Sequence, residues 1–388
     1  MVKQEDFAVE QYMDAYETCI EYNMAETCTA SISINEIPGQ SQESLNQLQQ
    51  KLFSTKLTYG HIRGSPELKN AIAQIYNDEG GNITKEDIVP TNGAIGANFL
   101  TLYALVDEGD KVIVVDPTYQ QLASVSKVFS RNPGNVIPWR LNFENNYLPD
   151  LEELRKLINE NHPKLLIINN PNNPTGVVWG DEIIREIVEI CSQADIYILC
   201  DEVYRPLYHS TVDPPKSIVN YGYKKTISTS STSKAFSLAG LRLGWVVTKD
   251  QEVIDKLYSK RDYNTISVST LDDITGTYAL TSYKQILERS YKICKTNLDI
   301  LGKYIDNTPL LSWVKPQGGS TCFVKVNIEG IDTMKMCVDL VEQYKTLIVP
   351  GEVFGRRGYL RIGFGNNTED IEKGLEQLTK YFVSNNYQ

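Results

Sequence analysis

The segment SSTSKAFSLAGLRLGW (residues 230–245) sets Lys234 at the end of a strand-like run, with Ser231 and Ser233 just before it and Arg242 after it. A lysine amine attacks a carbonyl only when neutral, so a Schiff-base lysine needs a partly desolvated, positively biased surrounding that lowers its pKa. Ser231, Ser233 and Arg242 suit a phosphate, as hydroxyl donors beside a guanidinium fork. The same pattern also fits a surface lysine following a strand. In CDEVYRPLY (200–208), Asp201 ends an apolar strand and Tyr204 follows within one turn. That strand end is where open α/β sheets bind ligands. A carboxylate buried there requires a cationic partner, and a protonated pyridine nitrogen would serve while making its ring a better electron sink. A helix cap is the competing reading of Asp201. In NNPNNPTG (169–176), two Asn-Pro steps follow the apolar run LLII. This is turn chemistry in which cis peptide bonds are accessible; Asn173 either aims its amide at a ring hydroxyl or only shapes a tight loop.

Taken together and in this order, NPTG, DEVY and SxSK with its trailing arginine resemble the signature of the fold type I pyridoxal 5'-phosphate enzymes, class I/II aminotransferases. Further stretches extend the resemblance over nearly the whole chain: YGHIRGSPELKNAIA (59–73), TNGAIGA (91–97) and FGRRGYLRIGF (354–364). The resemblance implies a pyridoxal 5'-phosphate cofactor carried by Lys234 as a Schiff base. It implies that the Gly93, Ala94 and Ile95 amides meet the phosphate at a helix start, with Ser231, Ser233 and Arg242 completing the cradle. Tyr119 would stack on the ring, Asn173 and Tyr204 would bond the ring oxygen, and Asp201 would pair with the ring nitrogen. Arg361 would clamp a substrate α-carboxylate, with Asn173 beside it. Tyr59 would reach the phosphate of a neighbouring subunit, so a homodimer with interfacial sites is expected. The implied reaction moves an amino group from an amino acid to a 2-oxo acid, with Lys234 as general base and acid and Asp201 and Tyr204 assisting. Relatives divert the same chemistry to elimination, replacement or cyclisation. RDYNTISVST (261–270) and VPGEVFGRRGYLRIGF (349–364) look like the branch containing capreomycidine synthase, which acts on an arginine derivative. Ile95 can offer the phosphate only its amide. No second arginine is assigned to a distal carboxylate, which argues against strict specificity for aspartate or glutamate.

The elements that must position these residues follow from periodicity. Short β-branched runs at 111–116, 136–141, 164–170, 196–202, 225–231 and 244–249 alternate with helix-period segments at 150–162 and 180–194. That alternation predicts a mostly parallel sheet between helices. Asp150 is placed to cap the first of those helices. An apolar period near 3.6 runs from about 270 to 305, predicting one or two long helices. Strand runs at 321–326 and 359–364 and helices at 334–344 and 368–384 then predict a smaller α+β domain. The expected organisation is an N-terminal arm and part of the small domain over 1–45, a large cofactor-binding domain over 46–280 and a small domain over 281–388.

Composition bounds the rest. The chain has 388 residues, long for one core, since single cores stop growing at roughly 250–300 residues. A formal net charge of -11 argues against nucleic acid as a partner. No apolar run approaches the roughly 20 residues of a membrane helix. The acidic first ten residues lack a secretory or transit pattern, so the cytosol is expected. The seven cysteines form no CxxC pair, which fits reduced thiols rather than a metal site or disulfide framework. A ligand-sensing module of a transcription regulator would need a basic DNA-binding helix pair, which residues 1–45 do not offer.

Overall fold

The computed structural model describes residues 3–209 and 214–387. Seven short strands form the central sheet: β1 (Ile88–Asn92), β2 (Val112–Asp116), β3 (Val136–Arg140), β4 (Leu165–Asn169), β5 (Tyr197–Asp201), β6 (Thr226–Ser231) and β7 (Leu243–Thr248). Their order is β1-β7-β6-β5-β4-β2-β3. All run one way except β7, which is antiparallel to both its neighbours. The central strands β2 and β4 are continuous apolar runs because both faces of the sheet are covered. In β2, Val112 and Val114 enter one core cluster, while Ile113 and Val115 enter the other.

The strands expected from sequence lie within a residue of those observed, and β1 is an addition. Its sequence IVPTN contains Pro90, which has no N–H to donate, and β1 lies on the sheet edge where proline is tolerated. Asp150 caps the helix Leu151–Asn161, accepting from the Glu152 and Glu153 amides at 3.0 Å each. The long helical stretch divides into Thr270–Leu280 and Tyr283–Asp306.

A smaller antiparallel sheet contains β8 (Leu311–Trp313), β9 (Thr321–Val326), β10 (Val349–Pro350) and β11 (Tyr359–Gly363), in the order β10-β11-β9-β8. The helices Tyr283–Asp306, Thr333–Tyr344 and Thr368–Ser384 accompany it. The architecture is therefore a large α/β layer with a mostly parallel sheet plus a smaller α+β part. A two-residue strand near the N-terminus, Tyr22–Asn23, pairs in parallel with Thr346–Leu347. Among the described residues, no helix is long and apolar enough to cross a membrane.

The turn after β5 is anchored from below by a buried ionic cluster. Arg205, 4% exposed, reaches Glu79 at 3.0 Å and Glu202 at 3.4 Å, and its guanidinium lies over the Tyr76 ring. Glu202 also accepts from the Ser217 and Ser228 hydroxyls and the Ile218 amide, each at 2.7 Å. Removing one partner of such a cluster leaves the other charge buried and uncompensated. Arg205→Ala is therefore expected to lower unfolding free energy by about 3–5 kcal/mol in chemical denaturation. Adding Glu202→Gln should recover part of that loss; a single variant as stable as wild type would show that the cluster anchors nothing.

Candidate active site

The register of the central sheet brings the sequence motifs to one edge. Asn169 is paired with Asp201 across β4 and β5, Ser231 with Gly244 across β6 and β7, and Asn92 with Leu243 across β1 and β7. Because β7 runs backwards, Arg242, the residue before it, stands at the same edge as the carboxyl ends of the parallel strands. This edge opens into a cavity of about 430 Å³. Ala94, Ile95, Tyr119, Asn173, Asp201, Tyr204, Ser231, Ser233, Lys234, Arg242 and Arg361, all anticipated from sequence, line it.

Asp201 is 3% exposed. One carboxylate oxygen accepts from Asn98 Nδ2 at 2.8 Å and the other from the Val203 amide at 3.1 Å. Burial pushes its pKa up to about 6, against the opposing pull of those two donors. No helix follows Asp201, only a turn, so the cap alternative does not hold. Asn98 is oriented in turn by Thr229, whose hydroxyl donates to its side-chain oxygen at 2.6 Å. The sequence reading missed Asn98; the available signal was a lone amide in the apolar helix GAIGANFLTLYAL (Gly93–Leu105).

Lys234 is partly buried, not a surface residue. Its Nζ lies 2.9 Å from Thr27 Oγ1, 3.3 Å from Cys28 Sγ and 3.8 Å from Glu26 Oε1. Its main-chain oxygen accepts from the Thr29 hydroxyl at 2.7 Å. The positively biased surrounding expected from sequence is not what the fold supplies. Burial favours the neutral amine, but Cys28, Glu26 and Tyr204 outweigh it and hold the lysine above its ordinary pKa. Glu26, Thr27 and Cys28 escaped the sequence reading because they lie some two hundred positions from Lys234 and form no local motif.

At one pole, the helix Gly93–Leu105 starts without a side-chain cap from Asn92, leaving first-turn amides available to an anion. Gly93 itself does not line the cavity but abuts it, next to Arg242. A Cβ on Gly244 would meet the Gly93 carbonyl carbon at 2.3 Å, so glycine is required for β7 to approach the helix start this closely. Arg242 itself adopts a left-handed backbone, φ +48°, which turns the chain into β7. Helix amides, Ser231, Ser233 and the Arg242 guanidinium together could hold a phosphate. At the other pole, Arg361 on β11 is 4% exposed, donates to the Ala25 carbonyl at 3.0 Å, and leaves its buried Nε without a hydrogen bond. The Asn173 side-chain oxygen is likewise buried without a donor, although the residue sits in the tight turn its Asn-Pro step predicts. Tyr119 donates to Glu10 at 3.0 Å, and Tyr204 is fully buried beside Lys234. Tyr59 does not join the cavity of its own chain: it is 63% exposed.

Comparison with known proteins agrees with this geometry. Residues 31–378 match the family model described as aminotransferase class I and II. An aspartate aminotransferase of Pyrococcus horikoshii is 30% identical over 357 residues, covering 90% of each chain. Capreomycidine synthase of Streptomyces vinaceus is 27% identical over 322 residues, covering 83% of this chain and 80% of that one. Among solved structures, a PLP-dependent aminotransferase from Streptococcus suis superposes with a TM-score of 0.91 at 40% identity over 99% of both chains. The fold is shared as well by the PLP-dependent cyclase OrfR, with a TM-score of 0.87 at 22% identity over 99% of both chains. The chain thus belongs to the aminotransferase class I and II family, whose cofactor is pyridoxal 5'-phosphate.

Proposed function

We propose that this protein is an aminotransferase that moves an amino group from an amino acid to a 2-oxo acid, using Lys234 at the cofactor. The observation that carries this reading is the placement of Lys234 between two anion-ready poles, with a buried carboxylate, Asp201, that has no ion pair among the described residues. The orphaned Asn173 oxygen, the uncapped helix start at Gly93 and the buried Asp201 are the polar groups the cofactor would satisfy. Bound pyridoxal 5'-phosphate supplies an aldehyde and an electron-withdrawing ring. Arg242, Ser231, Ser233 and the amides of Gly93, Ala94 and Ile95 hold its phosphate. Asp201 holds a proton on the ring nitrogen, and Asn98 keeps that carboxylate oriented. Tyr119 would lie against the ring, while Asn173 and Tyr204 would bond its oxygen. Arg361 would grip the substrate carboxylate and so orient the substrate Cα toward Lys234. Lys234 Nζ then takes and returns the Cα proton.

A second reading keeps every residue role but ends in elimination, replacement or cyclisation, on an arginine derivative among other substrates. The similarity to capreomycidine synthase supports it. Product identification separates the two, since transfer yields an oxo acid and an aminated acceptor, whereas elimination releases ammonia. Lys234→Ala should retain its fold but lose the visible absorbance of lysine-bound cofactor and at least 10²-fold in turnover of any amino acid. Wild-type turnover in this variant would remove Lys234 from its role.

Asp201 gives a test independent of turnover. Its folded pKa is raised from 3.8 to about 6, so the stability associated with its neutral form is present below about 4 and lost as pH rises through 6. In cofactor-free protein, wild-type stability relative to Asp201→Asn should therefore fall by on the order of 3 kcal/mol between pH 4 and pH 7. Cofactor should remove the fall by supplying a cation. A pH-independent difference between the two cofactor-free proteins would mean that Asp201 is not desolvated as described.

The protein is further read as a cytosolic homodimer. Phe53, Leu57, Tyr59, Ile62, Tyr263 and Ile266 are exposed, and the Ser267 hydroxyl joins their two segments by donating to the Tyr59 carbonyl. Such a patch suits a second copy of the chain, through which Tyr59 would reach the partner's phosphate pole. Tyr59→Phe should weaken cofactor binding by about 1.5–3 kcal/mol. In a heterodimer with Lys234→Ala, the lysine-bearing site should bind cofactor as wild type does; the affinity of the Phe variant at that site would place Tyr59 in its own subunit's cavity.

A further inference from the structure

In the reading above, Lys234 must give up its bond when a substrate amine takes its place. One C=N bond is made as another breaks, and the three hydrogens and single positive charge of the substrate ammonium end on the Lys234 nitrogen. The freed lysine is then a cation inside a cavity, where an unpaired charge is costly.

The segment Glu26–Thr27–Cys28 lies where such a cation needs partners. Thr27 Oγ1 and Cys28 Sγ contact Lys234 Nζ, and among the described residues Glu26 is the one carboxylate at ion-pair distance from it. The segment is itself held rigidly. Asn23 Oδ1 accepts from the Ala25 and Glu26 amides at 3.0 and 2.9 Å, Glu26 Oε1 from the Cys28 amide at 2.6 Å, and the Thr27 carbonyl from the Ser320 hydroxyl at 2.5 Å. A Cβ on Gly363 would meet the Glu26 carbonyl oxygen at 1.9 Å, so only glycine lets the segment lie this close to β11. Arg361 stands two residues earlier on that strand, so lysine partner and arginine share one support.

Of the three groups, Glu26 is the charged one. Burial pushes its carboxyl up, but Lys234 and the Cys28 and Thr27 amides outweigh burial and hold it below its ordinary pKa. Burial raises the Cys28 thiol, which stays neutral. Asp201, Tyr119 and Tyr204 also lie within electrostatic reach of the lysine, and Arg361 within reach of Glu26. Burial keeps both tyrosines neutral, and the roles above give Asp201 to the ring nitrogen.

We propose that Glu26, with Thr27 and Cys28, is the seat that receives the Lys234 ammonium when a substrate amine displaces it, favouring that exchange and opposing reattachment of the lysine. The inference rests on the reading of Lys234 as the cofactor-bearing residue. Glu26 acts through the lysine nitrogen and is a positioning residue.

The test follows the visible absorbance that appears as pyridoxal 5'-phosphate attaches to the full-length protein freed of cofactor. Only a neutral lysine amine attaches. Removing the anion in the isosteric variant Glu26→Gln should therefore raise the attachment rate at neutral pH by about three- to tenfold, the size expected of one partly exposed ion pair. Damage to the fold would slow attachment instead. The gain should shrink in high salt, and Thr27→Val, which removes a neutral acceptor, should give a smaller one. Affinity for 4-deoxypyridoxine 5'-phosphate, which has the same phosphate and ring but no aldehyde, should not change. Unchanged or slower attachment in Glu26→Gln, or an equal gain in affinity for the deoxy analogue, overturns the proposal. Lys234→Ala separates this from failure of the parent reading. Absorbance that persists in that variant removes Lys234 as the cofactor-bearing residue and the proposal with it, whereas absorbance that requires Lys234 but ignores Glu26 sinks the seat alone.

Discussion

A carboxylate at the buried end of a strand is the constraint around which this site is organised. Desolvation disfavours the charge on Asp201, and among the described residues no cation pairs with it directly: it has the Asn98 amide, one backbone N–H and the more distant charge of Lys234. Two donors do not replace the hydration that burial removes, and the group sits at about 6. Several features then fall into place as devices that hold this group still. Asn169 donates to the Asp201 carbonyl, Thr229 orients Asn98, and the Arg205 cluster ties down the turn that follows. Preorganisation of this kind costs stability in the empty protein; in the proposed role of Asp201, a cationic ring nitrogen would recover it.

The lysine is governed by a second, more distant part of the chain. Residues 26–29 pass alongside Lys234, fix its carbonyl through Thr29 and hold its ammonium through Thr27, Cys28 and Glu26. A lysine stabilised as a cation is a poor nucleophile. Its reactivity therefore depends on how closely this segment stays apposed, as well as on the strand end that delivers it. The hydroxyls of Thr29, Ser237 and Ser290 meet in a buried cluster that locks the segment to both the lysine loop and the helix Tyr283–Asp306.

What could be read from sequence was what is local or periodic. β2 and β4 declare themselves by continuous apolar runs, the helix Leu151–Asn161 by its Asp150 cap, and the site by motifs in which Lys234, Asp201 and Asn173 each end or follow a strand. Parallel-strand topology then brings those ends together, so the part of the cavity lining that the strand ends supply was legible, whereas the N-terminal helix Ala8–Tyr16 along it was not. Three further things were not. β1 is interrupted by Pro90, which weakens the strand pattern. Asn98 acts through a tertiary contact with Asp201, and its one local signal, a lone amide in an apolar helix, does not name that partner. The Glu26–Cys28 segment is brought to Lys234 only by tertiary packing, and it reverses the expected electrostatic bias around the lysine.

The positions of the two arginines explain why so small a cavity needs two sheets. Arg242 precedes β7 at the edge of the central sheet, whereas Arg361 lies within β11 of the smaller one. An anion at either pole engages only its own sheet, but a ligand assembly anchored at both poles bridges them. The N-terminal helix also touches both parts, through Gln120 on one side and Ile348 on the other. The distance between the poles is thus set by packing between sheets rather than within either one. Side-chain truncation at Tyr12, which donates to the Ile348 carbonyl, would loosen that spacing and with it the placement of Arg361, which matters for the clamp role proposed for it because positioning within a fraction of an ångström governs such reactions.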